Sequence, residues 1–243
     1  MIELTNCPIC MGELQPYATQ VLSAPFFTVD MGIDFNVCAF VTYSLCPTCG
    51  AYVQSPRMDA DDITKYYAEG MYREWLNLAQ ETLDRDEKFR AVVDAKLLRT
   101  LLDPIASHLD IGSSRGYFLQ EMNAEQQDGM ELNQSYAPVH VFETTDQVVD
   151  KYDLVSAIHV LEHTIDPLAT LRFMASHSRK YVVVEVPSDK SPGGWGRLAH
   201  TFHFPSETLQ YMASQSGLKI RAIIHTPHLL VIMEKTNGTD VVV

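Results

Sequence analysis

At 243 residues the chain has room for one full-size domain and a small module, and its 46% hydrophobic and 20% charged content matches ordinary globular usage, which excludes wholesale disorder. Eighteen Lys and Arg stand against 31 Asp and Glu, a net charge of −13, with no basic residue before Arg57, so a phosphate backbone is a poor partner and nucleic acid is not expected. No apolar run approaches the roughly 20 residues that cross a bilayer, and the acidic start Met1-Ile2-Glu3 lacks the cationic flank of a secretory signal, so a cytoplasmic protein without a membrane partner is expected.

Residues 1–55 read as a short β-rich, zinc-ribbon-like module. It holds Cys7-Pro-Ile-Cys10 and Cys46-Pro-Thr-Cys49, separated by 35 residues and each followed closely by a glycine, Gly12 and Gly50. A C-x2-C turn points two thiolates at one ion, and two such turns supply the four soft ligands of a closed tetrahedral Zn²⁺ site. With Cys7, Cys10, Cys46 and Cys49 filling every position, the metal is expected to be structural. Cys38, among Val37, Ala39 and Phe40, reads as a buried thiol.

Residues 56–105 read as a helical linker or lid. Asp59, Asp61 and Asp62 sit ahead of Ile63, Tyr66 and Tyr67 as at a helix start. Beyond Thr82, the positions Phe89, Val92, Val93, Leu97 and Leu101 predict an amphipathic helix that Asp103-Pro104 stops. From 106 to 235, short apolar runs alternate with helical stretches. The strands are expected at 107–111, 129–132, 139–142, 152–158, 181–186, 218–224 and 229–234, and the helices at 116–125, 167–177 and 206–216. This order predicts an α/β fold with a doubly wound, mostly parallel seven-stranded sheet that ends in two antiparallel neighbours. Residues 236–243 read as a loose tail.

His108-Leu-Asp110-Ile-Gly112-Ser113-Ser-Arg-Gly116-Tyr is a strand that breaks into a glycine loop and then a helix. Gly112 allows a sharp turn and close approach of a ligand to the backbone, while Gly116 permits tight packing where the helix begins. Glu131 follows Asp110 by 21 residues, at the end of the next apolar run, where a carboxylate can hold both hydroxyls of a ribose.

The loop Asp110-x-Gly112-x-x-x-Gly116 resembles the first motif of the class I S-adenosylmethionine-dependent methyltransferases. It lacks the second glycine of the G-x-G-x-x-G fingerprint of dinucleotide enzymes. Tyr152 to His163, Asp166-Pro167 and Val184-Glu185-Val186-Pro187 follow in the family's order, and the Cys pairs make the chain most similar to the branch with an N-terminal zinc module, which includes sugar C-methyltransferases. Tyr67 and Tyr72 resemble that branch's tyrosines ahead of the core. The resemblance implies a Rossmann-like core that binds S-adenosylmethionine through Asp110, Gly112, Ser113, Gly116, Glu131 and Leu132, with His159 and Val160 lining the pocket.

His200-Thr-Phe-His203-Phe204 resembles the same branch's histidine ahead of a helix, and an imidazole titrating near pH 6.5 suits proton removal during methyl transfer. His200 and His163 are therefore the expected catalytic residues. Ala199 stands where the branch tends to carry a glutamate, which leaves O-methylation beside C-methylation and allows a second reading as a non-catalytic adaptor for a protein partner. His159-Val-Leu-Glu162-His163 also fits the H-x-x-E-H pattern of one zinc-peptidase class, a reading that requires the motif to lie in a helix. The expected substrate is a small polar metabolite, in particular a nucleotide-linked sugar or glycan precursor.

Overall fold

The computed structural model describes residues 1–21, 40–69, 80–133, 141–188, 195, 199–225 and 228–236. Cys38, Tyr72, most of the 188–196 loop and residues 237–243 lie outside them. Strands β1 (Gln15–Val21), β2 (Phe40–Leu45) and β3 (Tyr52–Gln54) pair antiparallel in that order. Helix α1 (Ala60–Ala68) follows; the Asp59 carboxylate caps it by accepting from the Asp62 N–H at 3.0 Å. The long α2 (Gln80–Leu101) then leads into β4 (Ser107–Ile111), α3 (Tyr117–Met122), β5 (Gln126–Met130), β6 (Val141–Phe142) and β7 (Tyr152–Ile158). The chain continues through α4 (Pro167–His177), β8 (Ser178–Pro187), β9 (Phe202–His203), α5 (Ser206–Ser214), β10 (Leu218–His225) and β11 (His228–Lys235). No helix among the described residues is long and apolar enough to cross a membrane.

The main sheet has seven strands in the order β10-β11-β8-β7-β4-β5-β6, the expected doubly wound α/β arrangement. The strands from β8 to β6 run parallel, and β11 is antiparallel to both neighbours. β4, β7 and β8 are covered on both faces, which is why they read as nearly unbroken apolar runs. Alternation along β8 sends Val182, Val184 and Val186 towards Leu168, Leu171, Leu209 and Met212 of α4 and α5, and sends Val183 towards Ala91, Ala95 and Leu98 of α2. Topology reverses at β4, whose neighbours β5 and β7 connect to it in opposite directions, so a cleft opens beyond its carboxyl end.

Two features differ from the sequence reading. Phe89, Val92 and Val93 do not form the packed stripe of α2; Phe89 is 71% exposed, and the buried stripe is Leu83, Ala91, Asp94, Ala95 and Leu98. Small alanines let the helix approach the sheet closely, and Asp94 meets a carboxyl of β8 there. The packing of the first 55 residues also continues into residues beyond 199. β9 adds to β3, with Val53 opposite Phe202, and the core around Cys7, Cys46 and Val53 is continuous with Phe202 and Phe204. The Arg57 guanidinium lies 5.1 Å over the Phe202 ring and donates to the Ile165 carbonyl at 3.1 Å.

Phe202 is fully buried at this junction. Phe202→Ala is expected to cost about 3–5 kcal/mol in urea denaturation, through lost contact and the cavity left behind.

Candidate active site

The two cysteine turns are built alike. In each, the first cysteine's N–H donates five residues onward, to Gly12 or Ala51, and its carbonyl accepts from Met11 or Gly50. The left-handed position falls on Met11 (φ 62°) in one and Gly50 (φ 78°) in the other, so Gly12 is not the partner of Gly50 that the sequence suggested. Gly12 is needed instead for space, since a Cβ there would lie 2.7 Å from Thr48 Oγ1. The sulfurs of Cys7 and Cys49 are 3.7 Å apart, those of Cys10 and Cys46 3.3 Å, and all four lie within 4.8 Å of one another. Tetrahedral Zn–S bonds of about 2.3 Å require sulfur separations of about 3.8 Å, so the set fits Zn²⁺. The shared hydrogen bond pushes the Cys7 thiol down and the Cys49 thiol up, so without an ion the pair holds its charge on one sulfur.

At the carboxyl end of β4, Gly112 turns with φ 68°, and a Cβ on it would lie 2.5 Å from Val160 Cγ2. This contact clamps the glycine loop against the segment after β7. Asp110, 3% exposed, accepts from Ser156 Oγ at 2.5 Å, and His108 Nε2 lies 2.7 Å from the same hydroxyl. Since the Ser156 proton goes to Asp110, His108 must donate through Nε2; burial keeps that ring neutral, with its pKa lowered to about 3. Burial pushes Asp110 up to about 7, against the Ser156 hydrogen bond and with a smaller push from Glu131. Glu131 is oriented by two backbone donors, Ser114 at 2.9 Å and Asn133 at 3.0 Å, one to each carboxylate oxygen. Ser113 packs its side chain over Gly129, and its N–H donates to Met130. Gly116, φ 71°, caps α3.

These groups share one cavity of about 870 Å³ with the histidines. Asp110, Gly112, Ser113, Glu131, Leu132, His159, Val160, His163 and His200 all line it, and Gly116 is not among the lining residues. Tyr67 hydroxyl lies 2.6 Å from His163 Nδ1, which is also 2.9 Å from the Ala199 carbonyl. The His163 and His200 rings meet edge-on at 4.7 Å. Glu162, 1% exposed, brings an oxygen to 3.2 Å from His159 Nδ1 and 3.7 Å from His163 Nε2, and its carboxylate lies within 4.8 Å of ring nitrogens of both His163 and His200. A carboxylate from another segment thus stands near His200, where the sequence carries Ala199 just before it. His203 is a packing residue: it stacks on Trp195 at 4.1 Å, and burial lowers its pKa to about 3.

The H-x-x-E-H segment is not helical as the peptidase arrangement requires. His159 takes φ 55°, only Leu161–His163 form a 3-10 turn, and the two histidines fall into separate clusters. Sequence reasoning missed Asp94, Glu185 and His228, which gather beside His159. Asp94 and Glu185 share a hydrogen bond, and burial followed by the Asp94 charge pushes Glu185 up to about 8. A charged residue on an otherwise apolar helix stripe was the available signal for Asp94, and an acid inside Val184-Glu185-Val186 the signal for its partner.

The profile of the methyltransferase domain family matches residues 67–225, from Tyr67 through the glycine loop, His163 and His200 to the end of β10. The chain belongs to this methyltransferase family. Among solved structures, the methyltransferase is similar to magnesium protoporphyrin IX methyltransferase from Synechocystis PCC 6803 with bound SAH. Identity is 14% and the TM-score 0.56, over 73% of this chain and 100% of that one. It is also similar to an S-adenosylmethionine-dependent methyltransferase from Clostridium acetobutylicum ATCC 824, with 8% identity and TM-score 0.51 over 68% of this chain and 99% of that one. These likenesses are of fold. A comparison with curated proteins finds no match.

Cys46→Ser is expected to reduce zinc, measured by elemental analysis of the purified methyltransferase, from about one ion per chain towards zero, with a lowered melting temperature. Folded Asp110 holds its proton up to about pH 7, against 3.8 for an unperturbed carboxyl, so its contribution to stability declines as pH rises through that window. Asp110→Asn does not titrate. The difference in melting temperature, variant minus parent, is therefore expected to become more positive from pH 5 to pH 8.

Proposed function

We propose that this methyltransferase moves the methyl group of S-adenosylmethionine to an oxygen, or to a carbon acid, of a small polar metabolite such as a nucleotide-linked sugar or glycan precursor. The observation that carries the reading is the shared cavity. Its glycine-loop half offers Gly112 and the oriented Glu131, and its other half offers Tyr67, Glu162, His163 and His200. The volume of about 870 Å³ is near the upper end for ligand pockets, room for a nucleoside cofactor beside a compact acceptor.

Glu131 would accept the two ribose hydroxyls, and the missing side chain of Gly112 would let the cofactor lie on the backbone. When bound, the sulfonium supplies an electrophilic methyl group. His200 would accept the proton of the acceptor, with Glu162 offsetting the imidazolium charge as it forms and His163, held by Tyr67, buttressing the ring. Alignment of acceptor and methyl contributes the remaining acceleration, and well-oriented pairs gain roughly 7–11 kcal/mol. A row of hydroxyl, carboxylate and imidazole groups at the acceptor end suits a hydroxyl-rich substrate, and the resemblance to the sugar-modifying branch points the same way.

Calorimetric titration with S-adenosylhomocysteine tests the cofactor half. One site per chain is expected, weakened at least about tenfold in Glu131→Ala by loss of the ribose contacts. His200→Ala is expected to leave that affinity within about twofold while lowering methyl transfer to a responsive nucleotide sugar by about 10²–10⁴. Absence of binding to folded protein would reject the assignment.

A further inference from the structure

We propose that His159, Glu185 and His228 form a second metal site, for a divalent first-row transition ion, at the wall of the same cavity. The three ligands come from the carboxyl end of β7, from β8 and from the start of β11, and their ligand atoms lie within 4.8 Å of one another. Backbone pairing holds them there: the His159 N–H donates to the Glu185 carbonyl at 2.8 Å, and His228 stands opposite Pro187. The two imidazoles meet edge-on with centroids 4.3 Å apart. Metal–nitrogen and metal–oxygen bonds of about 2.0–2.2 Å place ligand atoms roughly 3–3.5 Å apart, so rotamer-scale adjustment closes the set around an ion.

Glu185 is 1% exposed, and its Oε2 has no hydrogen-bond partner among the described residues. A buried carboxyl oxygen without a partner is costly, and Asp94 and Glu162 stand beside it as further acids, opposed by the Arg90 guanidinium. A dication would supply the missing partner. The surroundings also resemble an outer ligand shell: Glu162 Oε1 lies 3.2 Å from His159 Nδ1, and Asp94 holds the Glu185 carboxyl.

Two imidazoles and one carboxylate suit Zn²⁺, Co²⁺, Mn²⁺ or Fe²⁺ better than Mg²⁺ or Ca²⁺. The set is not the H-x-x-E-H arrangement, because Glu185 and His228 lie outside that segment. His159 and His228 line the cavity, so the open coordination positions face it. On the methyltransferase reading, which this role rests on, the ion would grip an acceptor oxygen and acidify its hydroxyl before His200 takes the proton.

The test is Co²⁺ titration of the full-length protein with its four-cysteine site filled by zinc, read by visible absorbance and by metal content. One Co²⁺ per chain is expected, with weak ligand-field bands and without the intense sulfur-to-cobalt charge-transfer band of a thiolate site. Glu185→Gln and, as an independent variant, His228→Gln are each expected to weaken that binding at least tenfold while retaining the cysteine-bound zinc. No cobalt bands in the parent protein, bands of thiolate type only, or unchanged binding in a folded variant would overturn the site. S-adenosylhomocysteine titration of the same samples separates the two readings, since loss of the metal site leaves cofactor binding intact.

Discussion

A contact with no room for a methyl group governs the active end of this methyltransferase. Gly112 ends the strand at the centre of the sheet, and Val160 presses on the place where a side chain would stand. The two loops are thereby held together across the switch point of a doubly wound sheet, where the topology already opens a cleft. One loop presents Glu131 and the backbone of the glycine turn. The other continues within three residues to Glu162 and His163. Cofactor groups and acid–base groups therefore share one cavity as a consequence of this packing.

Behind that contact, buried polar groups are arranged in short chains. His108, Ser156 and Asp110 pass hydrogen bonds along the sheet towards the cavity, and at its rim the Tyr67 hydroxyl meets His163 with a Glu162 oxygen 3.7 Å from the same ring. Such networks hold side-chain directions closely because an unmade bond in low dielectric is expensive. Precision at the site thus comes from strands β4 and β7 and the turn after β7, and the helices mainly cover them.

Much of this was legible in the sequence, for reasons tied to particular residues. Strands β4, β7 and β8 announce themselves because both faces are apolar, and Glu131 because the distance from Asp110 is set by one βαβ unit. The cysteine pairs are legible because zinc geometry fixes their spacing. What escaped depends on partners far away in the chain. The buried face of α2 follows alanines and an acid that meets Glu185, so apolar spacing alone selected the wrong side. The two-residue β9 has no local signature and exists because β3 offers it an edge. The closeness of Glu162 to His200 could not be read from the sequence, since 37 residues lie between them and only the fold joins them.

The pairing of β3 with β9 joins the cysteine module to the segment that carries His200. His203 stands opposite Tyr52, stacks on Trp195 and lies 3.2 Å from the Tyr43 hydroxyl, so the strand below the histidine segment is seated on residues of the module. The cysteine turns, β3 and β9 therefore share one core with the segment that carries His200, and loosening the module would loosen the footing of that segment.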